Sequence, residues 1–271
     1  MTYEIRDTLV SIDNVNLELN GRQILRGVNA TVKDIVRPGF TTGQVVGVLG
    51  PSGIGKTQLS RILSGLQRPT SGSVTVSADG KMLPVRAGLV GVVAQNYPLF
   101  RHRTVLSNLE VAAAQTAGDA RQRSLDMLAK FGLSDKAGEY PSQLSGGQRQ
   151  RVAIAQQLLC SEHFIIMDEP FTGLDPLMKD LTCELISQVA SMDERNTIFV
   201  VAHDIPAVTA ISDTLWLLGR DRDAQGAPVP GSRIQATYDL AATGFAWEPG
   251  ISSTPKFAAL VAEVKGRFKT L

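Results

Sequence analysis

The amino-acid sequence predicts an α/β fold in which a parallel sheet is covered on both faces, and three observations carry that expectation. Short apolar runs at Phe164 to Met167, Thr197 to Ala202 and Thr214 to Leu218 alternate with helix-like stretches from about residues 176 and 205, the order that βα crossovers impose. An apolar run at Gln44 to Leu49 leads through glycines into Leu59, Ile62, Leu63 and Leu66, which keep helical spacing. Near the start, Val10, Ile12, Val15, Leu17 and Leu19, then Ile24, Val28, Ala30 and Val32, alternate on either side of Asn20-Gly21. That is a hairpin signal, and the two strands are expected to form a sheet of their own.

The remaining elements follow in order. Ser73 to Val76 and Leu89 to Ala94 are strand-like, whereas Val105 to Ala117 and Arg121 to Phe131 have helical spacing and helix formers, so the region from about 100 to 155 is expected to be mostly helical. Arg220 to Ser232 is rich in Gly, Pro, Asp and Arg and reads as a linker or exposed loop. Beyond it, Phe257, Leu260, Val261 and Val264 repeat at i, i+3, i+4 and i+7, so Pro255 should open an amphipathic helix.

Composition narrows the class. A chain of 271 residues, 43% hydrophobic and 20% charged, is long enough for either one large domain or one domain with a subdomain and tail, and has the make-up of a soluble globule. Its 27 basic and 26 acidic side chains leave a formal charge of +1, which provides no global field for gathering nucleic acid. No run of about 18 apolar residues suggests a membrane span, and Met1 to Val10 lacks the order of a secretory signal. Cys160 and Cys183 are too few for a disulfide framework and are expected to be packing thiols.

Gly50-Pro51-Ser52-Gly53-Ile54-Gly55-Lys56-Thr57 satisfies G-x-x-x-x-G-K-[ST] between a buried strand and a helix, the context this motif requires. The plain alternative is a glycine-rich turn, and the flanking elements argue against it. Glycines permit dihedrals that aim backbone N–H groups inward, and the helix adds its positive end at the same spot. Lys56 is then placed to neutralise the β- and γ-phosphates of a nucleoside triphosphate, and the Thr57 hydroxyl to meet Mg²⁺, a hard ion that prefers oxygen.

Asp168 follows Phe164-Ile165-Ile166-Met167, so its carboxylate should emerge at the carboxyl end of a central strand, where open α/β sheets bind ligands. It would hold Mg²⁺ mainly through water. Glu169 comes next, and Pro170 prevents simple continuation of the strand, leaving a second carboxylate near the γ-phosphate as general base or water-orienting group. Without the phosphate loop, this pair would read as a solvated loop or a helix start.

Leu144-Ser145-Gly146-Gly147-Gln148 needs a separate explanation. Ser145 and Gln148 make a capping-box pattern before the helix-like run Arg149 to Leu159, yet two glycines in a first turn cost stability and leave N–H groups open to an anion. The chain thus carries two helix-end anion sites, and one explanation is that the second serves a nucleotide bound to another copy. The set resembles the nucleotide-binding subunit of an ATP-binding cassette (ABC) transporter, importer-like, with Leu144 to Gln148 matching the family's signature. In that series Gln95 falls at the Q-loop glutamine, Gly173-Leu174-Asp175 resembles the D-loop, and His203 falls at the switch histidine. Alone, Gln95 would be a surface glutamine and His203 a satisfied polar residue at a strand end.

The resemblance covers approximately residues 8 to 218. It implies an ABC ATPase domain with a P-loop NTPase fold: a RecA-like core, a small antiparallel β subdomain and an α-helical signature subdomain at about 96–155, leaving 219–271 as a C-terminal linker and amphipathic tail. It implies ATP and Mg²⁺ as cofactors, with Thr57, Gln95 and Asp168 around the metal. It further implies a head-to-tail homodimer, or a pairing with a closely related cassette, that sandwiches two ATP between Gly50 to Thr57 of one subunit and Ser145, Gly146, Gly147 and Gln148 of its partner, with Asp175 nearby. Glu169 would polarise the attacking water, His203 would contact the γ-phosphate, and Gln95 would complete the metal and water site.

Having no spanning segment, such a subunit is expected at the cytoplasmic face of the membrane with a separate permease; the apolar cluster Tyr97, Pro98, Leu99 and Phe100 after Gln95 is a candidate dock for a permease helix, the plain alternative being local packing. The resemblance also allows a substrate-binding protein as partner. A separate cassette with a short tail points to import. Three positions depart from the pattern: Leu19 stands where many relatives stack an aromatic on adenine, Lys33 to Thr42 is long, and Gln156 replaces a commonly basic residue. The alternative is an ABC-type ATPase of DNA repair or chromosome maintenance, but such proteins carry a long coiled coil where Lys56 to Ser145 here spans 89 positions. A nucleotide-gated module without turnover is a third reading, against which Glu169 argues.

Overall fold

Asn20 and Gly21, with φ of 51° and 73°, make the tight turn that joins β1 (Glu4–Leu19) to β2 (Arg22–Val36). Positive φ at both positions matches the right-handed twist of the strands, which is why the Asn-Gly pair favours a hairpin here. The computed structural model describes every residue except Met1, Thr2, Thr42, Asp79, Glu162, Pro249 and Thr270. The ends of two segments singled out above, Met1 to Val10 and Lys33 to Thr42, therefore lie outside the described residues. The first four residues of the second are strand: Lys33 pairs with Thr8 and Val36 with Glu4, so they extend the hairpin.

On its other edge β1 pairs antiparallel with β4 (Ser71–Ala78), and β4 with β5 (Lys81–Pro84). The four residues of β5 are all exposed and carry no alternation, so no pattern in the sequence marks them. The central strands are β3 (Gln44–Leu49), β6 (Val90–Val93), β7 (Phe164–Asp168) and β8 (Thr197–Ala202), all parallel, with β9 (Thr214–Arg222) parallel to β3 on its other side.

Two expectations are corrected by β10 (Pro228–Asp239). Arg220 to Ser232 is not a linker: it is the end of β9, a turn closed by Asp223 N–H to Ala227 O at 2.9 Å, and the start of β10. The antiparallel strands do not stand apart either, because β10 pairs antiparallel with β9 and parallel with β2. The result is one ten-stranded sheet in the order β5-β4-β1-β2-β10-β9-β3-β8-β7-β6. The Gly and Pro residues that suggested a loop fall at the turn and at a register shift between Pro228 and Ser232, where Gly231 takes φ 83°. Such residues mark bulges as readily as loops. The sheet therefore runs through the position, 218/219, at which the tail was expected to begin.

Side chains alternate across the sheet. Val46, Val48, Ile166, Phe199, Val201, Trp216 and Leu218 face a core shared with α1 (Lys56–Leu63) and the inner face of β1, β2 and β4. Val45, Leu49, Ile165, Met167, Ile198, Val200, Leu215 and Leu217 face the other core. There α5 (Pro176–Ala190) and α6 (Ile205–Ile211) lie on β3 and β8, and α7 (Pro255–Phe268) packs on α6. Both faces are covered, as near-continuous apolar strands require. Between β6 and β7, α2 (Val105–Ala113), α3 (Ala120–Lys130) and α4 (Gly146–Cys160) pack on one another. Helix α7 begins at Pro255 under a Thr254 cap and buries Phe257, Leu260, Val261 and Val264. Both cysteines are unpaired and half-buried on helices, and burial pushes the Cys183 thiol up to about 12.

Candidate functional site

Strand order assembles the site. Strands β3, β8, β7 and β6 are consecutive neighbours and parallel, so their carboxyl ends lie side by side. Leu49 is in register with Ala202, Asp168 with Val201 and Val93 with Met167. The segments that leave these ends carry Gly50 to Thr57, His203, Asp168-Glu169 and Gln95. Motifs spread over 150 positions of sequence thus line one sheet edge, as the ligand-binding rule for open α/β sheets expects.

In the phosphate loop Gly55 takes φ 105° as the residue capping α1, a conformation that side-chain-bearing residues rarely adopt. A Cβ there would also press on Ile24 and Leu25 at 3.2 Å. The Lys56 side chain is only 7% exposed, and its Nζ donates to Gly50 O at 2.8 Å and Pro51 O at 3.2 Å and lies 3.7 Å from Glu169 Oε1. Burial pushes this ammonium below its ordinary range, while Glu169 and Asp168 pull it back up. The loop thus encloses a cation that its own carbonyls only partly satisfy, which favours an incoming anion.

Asp168 is half-buried, and its Oδ1 has no hydrogen-bond partner. Burial raises its carboxyl above the usual range; a hydrogen bond from Thr57 opposes this, Glu169 adds to it, and Lys56 opposes it. An unsatisfied carboxylate oxygen beside a hydroxyl is a set of hard oxygen donors, which fits a largely hydrated Mg²⁺.

Glu169 takes φ 53° although Pro170 follows, a strained backbone for a residue before proline. Its N–H donates to Val201 O at 2.7 Å, which anchors the turn to β8. The side chain is 22% exposed; its Oε2 lies 2.8 Å from His203 Nδ1 and accepts from the Thr172 hydroxyl at 3.2 Å. Lys56, Glu169 and His203 therefore form one chain of contacts. Thr172 was not anticipated, and only its position three residues after a carboxylate, a common turn spacing, hints at it.

The second helix end is built differently. Ser145 caps α4: its hydroxyl accepts from Gln148 N–H at 3.3 Å, and Gln148 Oε1 accepts from Ser145 N–H at 2.9 Å. Leu144 is buried beneath it, and Arg149 holds the Leu144 carbonyl at 2.6 Å. Gly147 lies against Met178 of α5, whose cap is Asp175, accepting from Met178 N–H at 2.9 Å. The signature and the D-loop segment are thus neighbours. Among the described residues no hydrogen bond or ion pair links Ser145, Gln148, Asp175 or Gln95 to the chain of Lys56, Glu169 and His203. Gln95 is exposed in a turn closed by Tyr97 N–H to Ala94 O at 3.0 Å.

Leu19 ends β1 half-buried against the core that includes α1, and the Gln156 side chain donates to Asn108 O at 3.3 Å, joining α4 to α2. Beside the Gln95 turn, Asn96, Tyr97, Pro98, Leu99, Arg101 and Arg149 line much of a groove of about 430 Å³. No helix among the described residues is long and apolar enough to cross a membrane.

Comparison with known proteins identifies the family. The model of the ABC transporter family matches residues 35–172. The methionine import ATP-binding protein MetN 2 of Rhodococcus jostii is 38% identical over 213 residues, which cover 75% of this chain and 61% of that protein. The L-cystine transport system ATP-binding protein TcyN of Escherichia coli is 33% identical over 228 residues, covering 79% of this chain and 87% of that one. In three dimensions the chain is similar to cbiO1 from Clostridium perfringens, part of the ABC transporter complex cbiONQ, with a TM-score of 0.70 at 24% identity over 88% of this chain and 91% of that one. That likeness speaks for the fold, and the named relatives favour transport over DNA repair. With the phosphate loop, the strand-end carboxylates and the capped signature helix placed on that fold, the chain belongs to the ABC transporter family, as one of its ATP-hydrolysing subunits.

Proposed function

We propose that the chain powers uptake of a small solute through a separate membrane permease, working as a homodimer that buries two ATP molecules at the cytoplasmic face. The observation that carries this reading is the contrast between the two helix ends. One is wired to Lys56, Glu169 and His203; the other, at Ser145 to Gln148, has Ser145 and Gly146 exposed and Gly147 and Gln148 half-buried, and its hydrogen bonds stay within its own cap. A second copy turned head to tail supplies what each lacks, with Asp175 beside the signature at the seam.

In this reading the loop N–H groups and Lys56 hold the phosphates. Thr57, Asp168 and Gln95 would hold Mg²⁺, which would supply positive charge to offset that of the phosphates. Glu169 accepts a proton as a water oxygen attacks the γ-phosphorus; the bond to the β-phosphate oxygen breaks, leaving ADP and phosphate. His203, held by Glu169, contacts the γ-phosphate and orients the base. ATP stabilises the closed dimer and its hydrolysis releases it, a two-state change that does mechanical work only when coupled to a partner. The groove behind Tyr97 and Leu99, next to the Gln95 turn, suits an inserted permease helix, and a relative named for methionine import supports uptake as the direction.

The test is size-exclusion of the Glu169→Gln variant with MgATP, with nucleotide content measured. A dimer carrying two ATP is expected, and a monomer at saturating MgATP would overturn the reading. Copurification of wild type with a membrane protein from its own host tests the permease.

A further inference from the structure

The strand that corrected the expected linker also touches the phosphate loop. Ser232 on β10 is fully buried, and its hydroxyl donates to the Ile54 carbonyl in the middle of the loop at 2.6 Å, across 178 positions of sequence. The same residue pairs with Leu25 of β2 and with Arg220 of β9, so it sits where the antiparallel wing, the β9–β10 hairpin and the loop meet. Its inward aim has a local cause. Between Pro228 and Ser232 the register with β9 shifts, and Gly231 takes φ 83° with its α-carbon against Gln23 and Arg26, where a Cβ would come within 2.7 Å of both side chains.

The consequence follows from peptide geometry. In a trans peptide the C=O and the N–H of one unit point in opposite directions. Fixing the Ile54 carbonyl on Ser232 therefore turns the Gly55 N–H to the opposite side of the loop, away from β10. The Gly55 N–H is the last backbone donor before Lys56, at the positive end of α1. A loop with this carbonyl untied is free to flip the unit, and a flipped unit presents an oxygen to a phosphate in place of a hydrogen.

We infer that Ser232 is a positioning residue for ATP: it locks the Ile54–Gly55 peptide unit in the orientation that offers its N–H to the phosphates, and so ties nucleotide affinity to the β9–β10 hairpin. This rests on the loop binding a triphosphate, as proposed above. Ser232 touches no reacting atom, so its removal is expected to act on binding and to leave turnover at saturation nearly intact.

The experiment is equilibrium titration of the full chain with a fluorescent ATP analogue, together with kcat, KM for ATP and Tm, for wild type, Ser232→Ala, Ser232→Cys and Ile234→Val. Ser232→Ala should raise Kd and KM about three- to tenfold with kcat within about twofold, a loss in line with one buried hydrogen bond. Ser232→Cys, similar in size with a weaker donor, should fall between wild type and Ser232→Ala. Ile234→Val, on the same strand but not bonded to the loop, should lower Tm without moving Kd. Unchanged Kd in Ser232→Ala, or an equal rise in Ile234→Val, overturns the inference. If Ser232→Ala does not fold, Ser232→Cys decides by the same measure. Wild type that binds no nucleotide would instead sink the phosphate-loop reading itself.

Discussion

The amino ends of α1 and α4 are both preceded or entered by glycines, yet one is tied to distant strands and turns by hydrogen bonds and an ion pair, while the hydrogen bonds at the other stay within its own cap. At α1 the loop is fixed by the buried Lys56, by Ser232 on a distant strand and by the neighbouring β7 turn. At α4 the capping box of Ser145 and Gln148 closes the end within four residues and leaves Ser145 and Gly146 in solvent. In the proposed reading the first is a finished anion site, and the second is a surface completed by the nucleotide of a second copy. A cap is satisfied in the free chain and can be traded for a phosphate without leaving the donors bare.

The strongest way to break the comparison is at the carboxylate that serves only the first end. Glu169→Gln keeps the side-chain shape and its contact with Thr172 but removes the base. Turnover should fall at least about a hundredfold while ATP binding persists; steady-state ATPase and nucleotide titration check both, and undiminished kcat would refute the assignment. Lys56→Ala is next. It deletes the one cation the loop encloses, and nucleotide affinity should drop about ten- to a hundredfold, as for the loss of charge-assisted hydrogen bonds. Titration giving wild-type affinity would count against the loop.

Ser145→Ala sharpens the contrast. Loss of a helix cap costs about 1 kcal/mol of stability, but affinity of the monomer for ATP should stay at the wild-type value. The ATP concentration needed for dimerisation should rise severalfold, read by light scattering in the Glu169→Gln background. Weaker binding to the monomer would mean that the signature already serves the nucleotide in its own chain.

The smallest effect on activity is expected from Asp213, which lies far from both helix ends. Its carboxylate is fully buried at the start of β3, accepting from Val45 N–H at 2.6 Å, and burial raises its pKa to about 7. The folded state therefore holds a proton that the unfolded chain releases near pH 4. The sign follows: this contribution to stability is complete below about pH 4 and is lost as pH rises through about 7. Asp213→Asn should flatten that part of the stability profile, on the order of a few kcal/mol in urea unfolding between pH 5 and pH 8, and leave ATP affinity unchanged.

Much of this was legible in the chain itself because the signals were local. The Asn20-Gly21 turn, the apolar runs of β3, β7 and β8, the Pro255 start of α7 and the phosphate loop each depend on a few adjacent residues whose dihedral needs or periodicity are fixed by their own chemistry. Segments whose pattern is ambiguous were not legible. The four exposed residues of β5 have no alternation, and the Gly and Pro of Arg220 to Ser232 mark a bulged hairpin as well as they mark a linker. Partners from distant sequence were equally hidden: Thr172 on Glu169, and above all Ser232 on Ile54.

By itself the sequence determined which residues can bind phosphate, which can take a proton and which segments are strands or helices, since those properties belong to single side chains and short windows. Only the tertiary structure decided that β10 joins the antiparallel wing to the parallel core, that the Asp168-Glu169 turn meets Lys56 and His203, and that the signature helix ends in solvent away from them. The physical reason is strand order. Which ends lie side by side is set by the packing of the whole sheet, and no window of the sequence contains it.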